Sequence, residues 1–138
     1  MPPFSNIQPL TVIFCVVTYM MLGFLWYSSL MFGDLWLRLT GLEKMNKEQQ
    51  RRRLLRSLFL SLFSGTVMAM VLSMLFFQAD IGYALLMTAF LWLAFNGMMV
   101  GTTYAFSARP FLLWLIDSGF PLTSMLLMSA IITQMPKP

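Results

Sequence analysis

Four long uncharged stretches limit what this chain can become: residues 10–32, 57–79, 81–108 and 110–135, the last interrupted only by Asp117. About 20 apolar residues suffice for a helix to cross the hydrocarbon core of a bilayer. A chain of 138 residues that is 59% hydrophobic and 10% charged cannot hide four such stretches inside itself, since a soluble domain carries roughly 25% charged residues. Lipid has to serve as solvent for their outer faces. An isolated strand there would leave its backbone unpaired, so the stretches are expected to be helices. The predicted fold is all-α, a single membrane domain built as a four-transmembrane-helix bundle. Met1 to Pro9 lacks the basic start and small-residue cleavage site of a secretory signal, so span 1 is expected to be retained.

The polar linker between spans 1 and 2 orients the bundle. Seven of the nine Lys/Arg residues fall there: Arg38, Lys44, Lys47, Arg51, Arg52, Arg53 and Arg56. Basic residues beside a span stay in the cytoplasm. The 38–56 linker is therefore expected inside and both termini outside. The Gln78–Gly82 turn falls outside with them, and the turn holding Arg109 falls inside. Lys137 alone sits on the opposing side. Tyr83 and Tyr104 lie 21 residues apart, about 31 Å of helix, so one ring is expected at each interface. Thr40 and Glu43 have capping-box spacing, and Glu43/Lys47 and Glu48/Arg52 are i,i+4 pairs. These predict a short cytoplasmic surface helix leading into span 2. Arg51, Arg52, Arg53 and Arg56 are read as a topology anchor against anionic lipid head groups. With no aromatic platform beside them, nucleic-acid binding is a poor reading.

Composition also narrows the chemistry. With no His and the single Cys15, zinc, haem and iron–sulfur sites are not expected. A Ser-His or Cys-His nucleophile pair cannot form. The fourteen Met residues suit pliable packing rather than Cu(I) ligation. No metal, cofactor or catalytic residue is assigned, and the chain reads as non-enzymatic.

Small residues recur every fourth position on span 2 (Ser57, Ser61, Gly65, Ala69, Ser73) and on span 3 (Gly97, Gly101, Ala105). Such faces let helix backbones approach closely in lipid. They predict tight packing within one chain or between copies, and hence a homo-oligomer or a membrane-protein partner. Asp117 is the one ionisable side chain well inside a span. Lying eight residues past Arg109, it is expected about 12 Å deep, near the midplane of a ~30 Å core. Its insertion penalty of about 2.5–3.5 kcal/mol is offset by about 3–7 kcal/mol from the surrounding Leu, Ile and Phe. Pro121 removes the N–H that would bond the Asp117 carbonyl, and a kink beside Gly119 is expected. Asn96, Tyr27 and Thr103 are the candidate hydrogen-bond partners, with Gly65 at the same depth allowing close approach. Two readings stand side by side: a packed helix–helix hydrogen bond, or a proton or cation site in a small transport protein, because intramembrane acids mark such pathways and broken helices line them.

The end of span 1 reads Gly23-Phe-Leu-Trp26-Tyr27-Ser-Ser-Leu-Met-Phe32-Gly33-Asp-Leu-Trp36. With the Arg109-Pro110 turn and the Ser118-Gly119-Phe120 stretch, it resembles the signature of a bacterial membrane family known as domain of unknown function seventeen-sixty-one. The likeness covers nearly the whole chain. It departs at Ser29, Asp34 and Asp117, where the family's usual residues are proline, a basic residue and an amide. The resemblance implies a four-span bacterial inner-membrane protein and no particular activity. Trp26, Tyr27 and Trp36 are expected to anchor span 1 at the cytoplasmic interface, and Phe32-Gly33 to end it by a glycine cap.

Overall fold

A computed structural model describes residues 7–136, so Lys137 lies outside the described residues. Six α-helices follow in order: α1 (Pro9–Trp26), α2 (Gly33–Thr40), α3 (Lys47–Phe76), α4 (Ile81–Trp92), α5 (Met98–Phe106) and α6 (Phe111–Gln134). A π-helical turn, Leu93–Gly97, joins α4 to α5 in one rod spanning Ile81–Phe106. Four helices are thus long and apolar enough to cross a membrane: α1, α3, the α4–α5 rod and α6. Among the described residues there is no strand. Phe59, Phe63, Phe95 and Phe106 are between 66% and 90% exposed, an outer surface suited to lipid rather than water.

α6 is the central rod and packs on α1, α3 and α4. The tightest core lies at the end away from the linker. There Cys15, Tyr19, Ala69, Leu72, Phe76, Ala84, Met128 and Ile132 form one buried cluster. Thr88 Oγ1 and Ser129 Oγ, 2.7 Å apart, pair across α4 and α6 inside it. Gln8 Nε2 donates to the Pro136 carbonyl at 3.2 Å, so the two ends of the described chain meet at this pole. The linker and Arg109 share the opposite pole.

Span 1 departs from expectation. The α-helix ends at Trp26 rather than near Phe32, and the chain turns back through Tyr27–Phe32 into α2. Gly33 is therefore no cap for span 1. It opens α2, its N–H donating to the Ser28 carbonyl at 2.9 Å. A Cβ at Gly33 would collide with the Tyr27 carbonyl oxygen and come within 2.7 Å of the Ser28 carbonyl carbon. The turn closes only because that Cβ is missing.

The linker also differs in detail. The surface helix is Gly33–Thr40, ahead of the basic run, and it stops at Gly41, whose φ of 69° is left-handed. Thr40 caps nothing: its hydroxyl donates back to the Trp36 carbonyl at 2.7 Å. Asn46 takes the capping role instead, accepting from the Gln49 N–H at 2.8 Å. The Arg51–Arg53 run occupies early turns of α3, a single 30-residue helix. Of the two expected ion pairs, Glu48–Arg52 forms at 2.7 Å and is the one salt bridge among the described residues.

Gly33→Ala is expected to destabilise the protein in detergent by about 1–3 kcal/mol, the range for overpacking, and to red-shift tryptophan emission as Trp36 loses its seat. Gly41→Ala has open space around it and is expected to cost only about 1 kcal/mol, from left-handed backbone. Denaturant melts of both variants check the contrast.

Candidate functional site

Three consecutive residues of α6 receive indoles from three different helices. Trp26 of α1 donates Nε1–H to the Ile116 carbonyl at 3.1 Å. Trp36 of α2 donates to Asp117 Oδ1 at 2.8 Å. Trp92 of α4 donates to the Ser118 carbonyl at 2.8 Å. The remaining tryptophan, Trp114, points the other way and donates to the Gly97 carbonyl in the π-helical turn at 3.0 Å. An indole has one donor and no acceptor, and buried without a partner it would be costly. Each of the four has found one.

Asp117 is half-buried at the centre. Besides Trp36, Oδ1 is met by the Tyr27 hydroxyl at 3.4 Å, and Oδ2 accepts from the Tyr104 hydroxyl at 2.5 Å. Hydrogen bonds to a carboxylate are among the stronger ones. The Arg109 guanidinium lies 5.4 Å from the centre of the Tyr104 ring, within cation–π range. Ala108, with φ of 52°, makes the turn that brings Arg109 back over that ring. Tyr104 is thus the link between the α5–α6 turn and the acid.

The structure brings together some of the expected partners and not others. Tyr27 does meet Asp117. Thr103 does not: its hydroxyl bonds its own helix at the Met99 carbonyl, 3.0 Å away. Asn96 does not either: it lies in the π-helical turn, and its Oδ1 is buried with no hydrogen-bond partner. Asp117 is six residues into the 24-residue α6, about 9 Å along a rod of about 36 Å, a quarter of the way from the linker pole. Pro121 lies inside α6 without parting it, the helix running unbroken from Phe111 to Gln134. Neighbouring donors, including the Thr123 and Ser124 hydroxyls on the Gly119 and Phe120 carbonyls, support the backbone around it, as in other proline-containing membrane helices.

The small-residue ladders are used within the chain. On α3, Gly65, Ala69 and Ser73 are buried, whereas Ser57 and Ser61 are not. Gly65 seats the Tyr19 ring, so close that a Cβ there would lie 2.8 Å from Cδ1. On the α4–α5 rod, Gly97 lies under the Trp92 ring and Gly101 under the Trp114 indole. Ala105 stays exposed.

The motif residues of span 1 converge on the same stretch of α6. Gly23 lies against the Phe120 ring and Gly119 against the Trp26 ring. Trp26 packs on Phe32 with ring centres 4.9 Å apart, and Tyr27 meets Trp36 edge-on at 5.3 Å. Phe120 contacts Tyr19, Trp26 and Tyr27 in turn. Gly33 makes the turn that swings Trp36 over. Trp36, Tyr104 and Trp92 were not among the expected partners of this stretch. For Trp36 and Tyr104 the signal was an amphipathic ring near a span end, which reads equally as an interfacial anchor; Trp92, in the middle of its rod, gave none.

Fold and site together define an all-helical protein with four helices able to cross a membrane, its central helix gripped by aromatic donors. The chain belongs to the family described as protein of unknown function (DUF1761), whose model matches residues 10–133. That range takes in the whole span 1 motif and the receiving stretch of α6. Comparison with curated proteins and with solved structures returns no match.

A buried donor left without an acceptor costs about 1–3 kcal/mol. Asp117→Leu strands the Trp36, Tyr27 and Tyr104 donors together and is expected to destabilise by about 3 kcal/mol. Asp117→Asn keeps a carbonyl for Trp36 and is expected to cost about 1 kcal/mol. Unfolding curves in mixed micelles test this. Equal losses for the two variants would remove the weight given to the Trp36 bond.

Proposed function

We propose that the protein is a non-enzymatic membrane module whose work is interaction, and that it resides in the bacterial inner membrane. The observation that supports this reading is the engagement of both Asp117 oxygens, which accept from aromatic donors, so the one intramembrane acid serves to hold α2, α5 and α6 in register. The face proposed for association is the outer one of α5, a helix with no fully buried residue. Met98, Met99 and Phe106 are 56%, 63% and 90% exposed there. Self-association through this face replaces the α3 ladder as the proposed contact, because the α3 ladder is largely occupied by α1.

A second reading, a small transport protein, draws support from a cleft of about 450 Å³ between α1, α2 and α3. Tyr27 and Trp36 line it, and both bond Asp117 Oδ1 on their other side. Two measurements separate the readings. Thr102→Cys, with the native Cys15 buried, is expected to give disulfide-linked dimers in membranes, and Phe63→Cys on α3 is expected not to. Proteoliposomes loaded with varied ions and small solutes are expected to show no flux across a pH series. A pH-dependent flux abolished by Asp117→Asn would establish the transport reading, and monomers from both cysteine variants would end the α5 contact.

The proposed orientation puts the linker and Arg109 in the cytoplasm and both termini outside. It rests on the seven basic linker residues and on the linker sharing a pole with Arg109. Reporters active only in the cytoplasm are expected to be silent at either terminus and active when inserted after Lys44. Activity at a terminus would reverse the arrangement.

A further inference from the structure

The cleft has features that the module reading leaves unused. α3 is 30 residues long and α1 is 18, about 45 Å against about 27 Å. The linker-side turns of α3 therefore run on beyond the end of α1. Along them Gln50, Arg53, Leu54, Ser57, Leu58 and Ser61 follow at helical spacing and line the cleft from one side. Its far wall is α1 from Tyr19 to Tyr27, with Trp36, Leu37, Leu42 and Met45 across the linker end. Ser57 and Ser61 are the two ladder positions that are not buried, and Gly23 lines the same cleft. Small side chains thus keep the cleft open, at a size within the ~300–1,000 Å³ of small-molecule sites.

Charge selects the occupant. Arg53 stands at the linker end of the cleft, and among the described residues its guanidinium meets only the Met45 sulfur, at 3.9 Å. Its neighbour Arg52 is the one paired to Glu48. Arg51 and Arg56 add further positive charge on the same turns. A second copy of this chain would bring the same positive surface to the cleft mouth and be repelled. An anionic amphiphile matches both parts, apolar wall and cationic rim.

We propose that this cleft is a binding site for an anionic phospholipid, one acyl chain lying between α1 and α3 over Ser57 and Ser61 and the phosphate held by Arg53. The site rests on the membrane location proposed above, and the test keeps the two apart. Delipidated intact protein in neutral detergent is titrated with phosphatidylglycerol or phosphatidylcholine and lipid adducts are read by native mass spectrometry. Phosphatidylglycerol is expected to bind at least fivefold more tightly than phosphatidylcholine. Ser61→Trp, which fills the cleft, and Arg53→Gln are each expected to lower that affinity about fivefold or more, whereas Arg51→Gln changes it less than twofold. Should Ser61→Trp fail to fold, Ser57→Phe fills the same cleft one turn nearer the rim. Equal loss in Arg51→Gln and Arg53→Gln with none in the cleft-filling variant would mean diffuse attraction to the basic run, and the site would be overturned. Equal affinity for the two lipids would overturn it as well. Wild-type protein that fractionates with membranes yet binds no phosphatidylglycerol sinks the cleft site alone. Protein that stays soluble without detergent sinks the membrane location itself.

Discussion

In a hydrocarbon surround, an N–H with no acceptor is costly, and this chain contains four indoles. Three of them end on Ile116, Asp117 and Ser118, approaching from α1, α2 and α4. The rest of the linker-side half of the bundle follows from that convergence. Lipid supplies no hydrophobic force to press one helix on another, so directional bonds and close contact must do so. At the opposite pole close contact does most of this, in a dense core around Met128 with the Thr88–Ser129 hydroxyl pair inside it. Toward the linker pole a cleft opens beside α1 and α3, and the indoles and tyrosines tie α1, α2 and the α4–α5 rod to α6.

The same requirement accounts for α2. A chain leaving α1 at Trp26 could run directly into the linker. Instead Gly33 folds it back so that Trp36 crosses to α6, and α2 lies as a strap over the end of the bundle. The acid at position 117 gives the strap its anchor. An amide at this position would still offer a carbonyl to Trp36. The anchoring role therefore depends on an acceptor at this position rather than on a charge.

Much of this was legible in the sequence, because the strongest signals were long-range and compositional. Uncharged length placed four rods, and the ends of α6 fall within a residue of expectation. The turn after Trp26 was not legible, since Tyr27 to Phe32 is as uncharged as the helix before it, and uncharged length cannot separate a span from an apolar turn. Thr40-x-x-Glu43 and Asn46-x-x-Gln49 both have the spacing of a helix start. The structure uses the second because Gly41 ends a helix immediately after Thr40. At the site, Tyr27 was legible from depth, while Asn96 failed as a partner because depth does not say which way a side chain faces. The π-helical turn that holds Asn96 sets that direction, and it has no clear signature in Leu93–Gly97.

That turn has a consequence for the whole second half of the chain. It admits one extra residue, and one residue is worth about 100° of rotation around a helix axis. Below it α4 faces inward with Ala84 and Thr88; above it α5 faces outward with Met98, Met99 and Phe106, yet delivers Tyr104 to the acid. Five residues in the middle of a rod therefore act as a phase shifter. Shortening the rod there by a single residue would leave its length almost intact and swing every side chain beyond it to a different compass bearing.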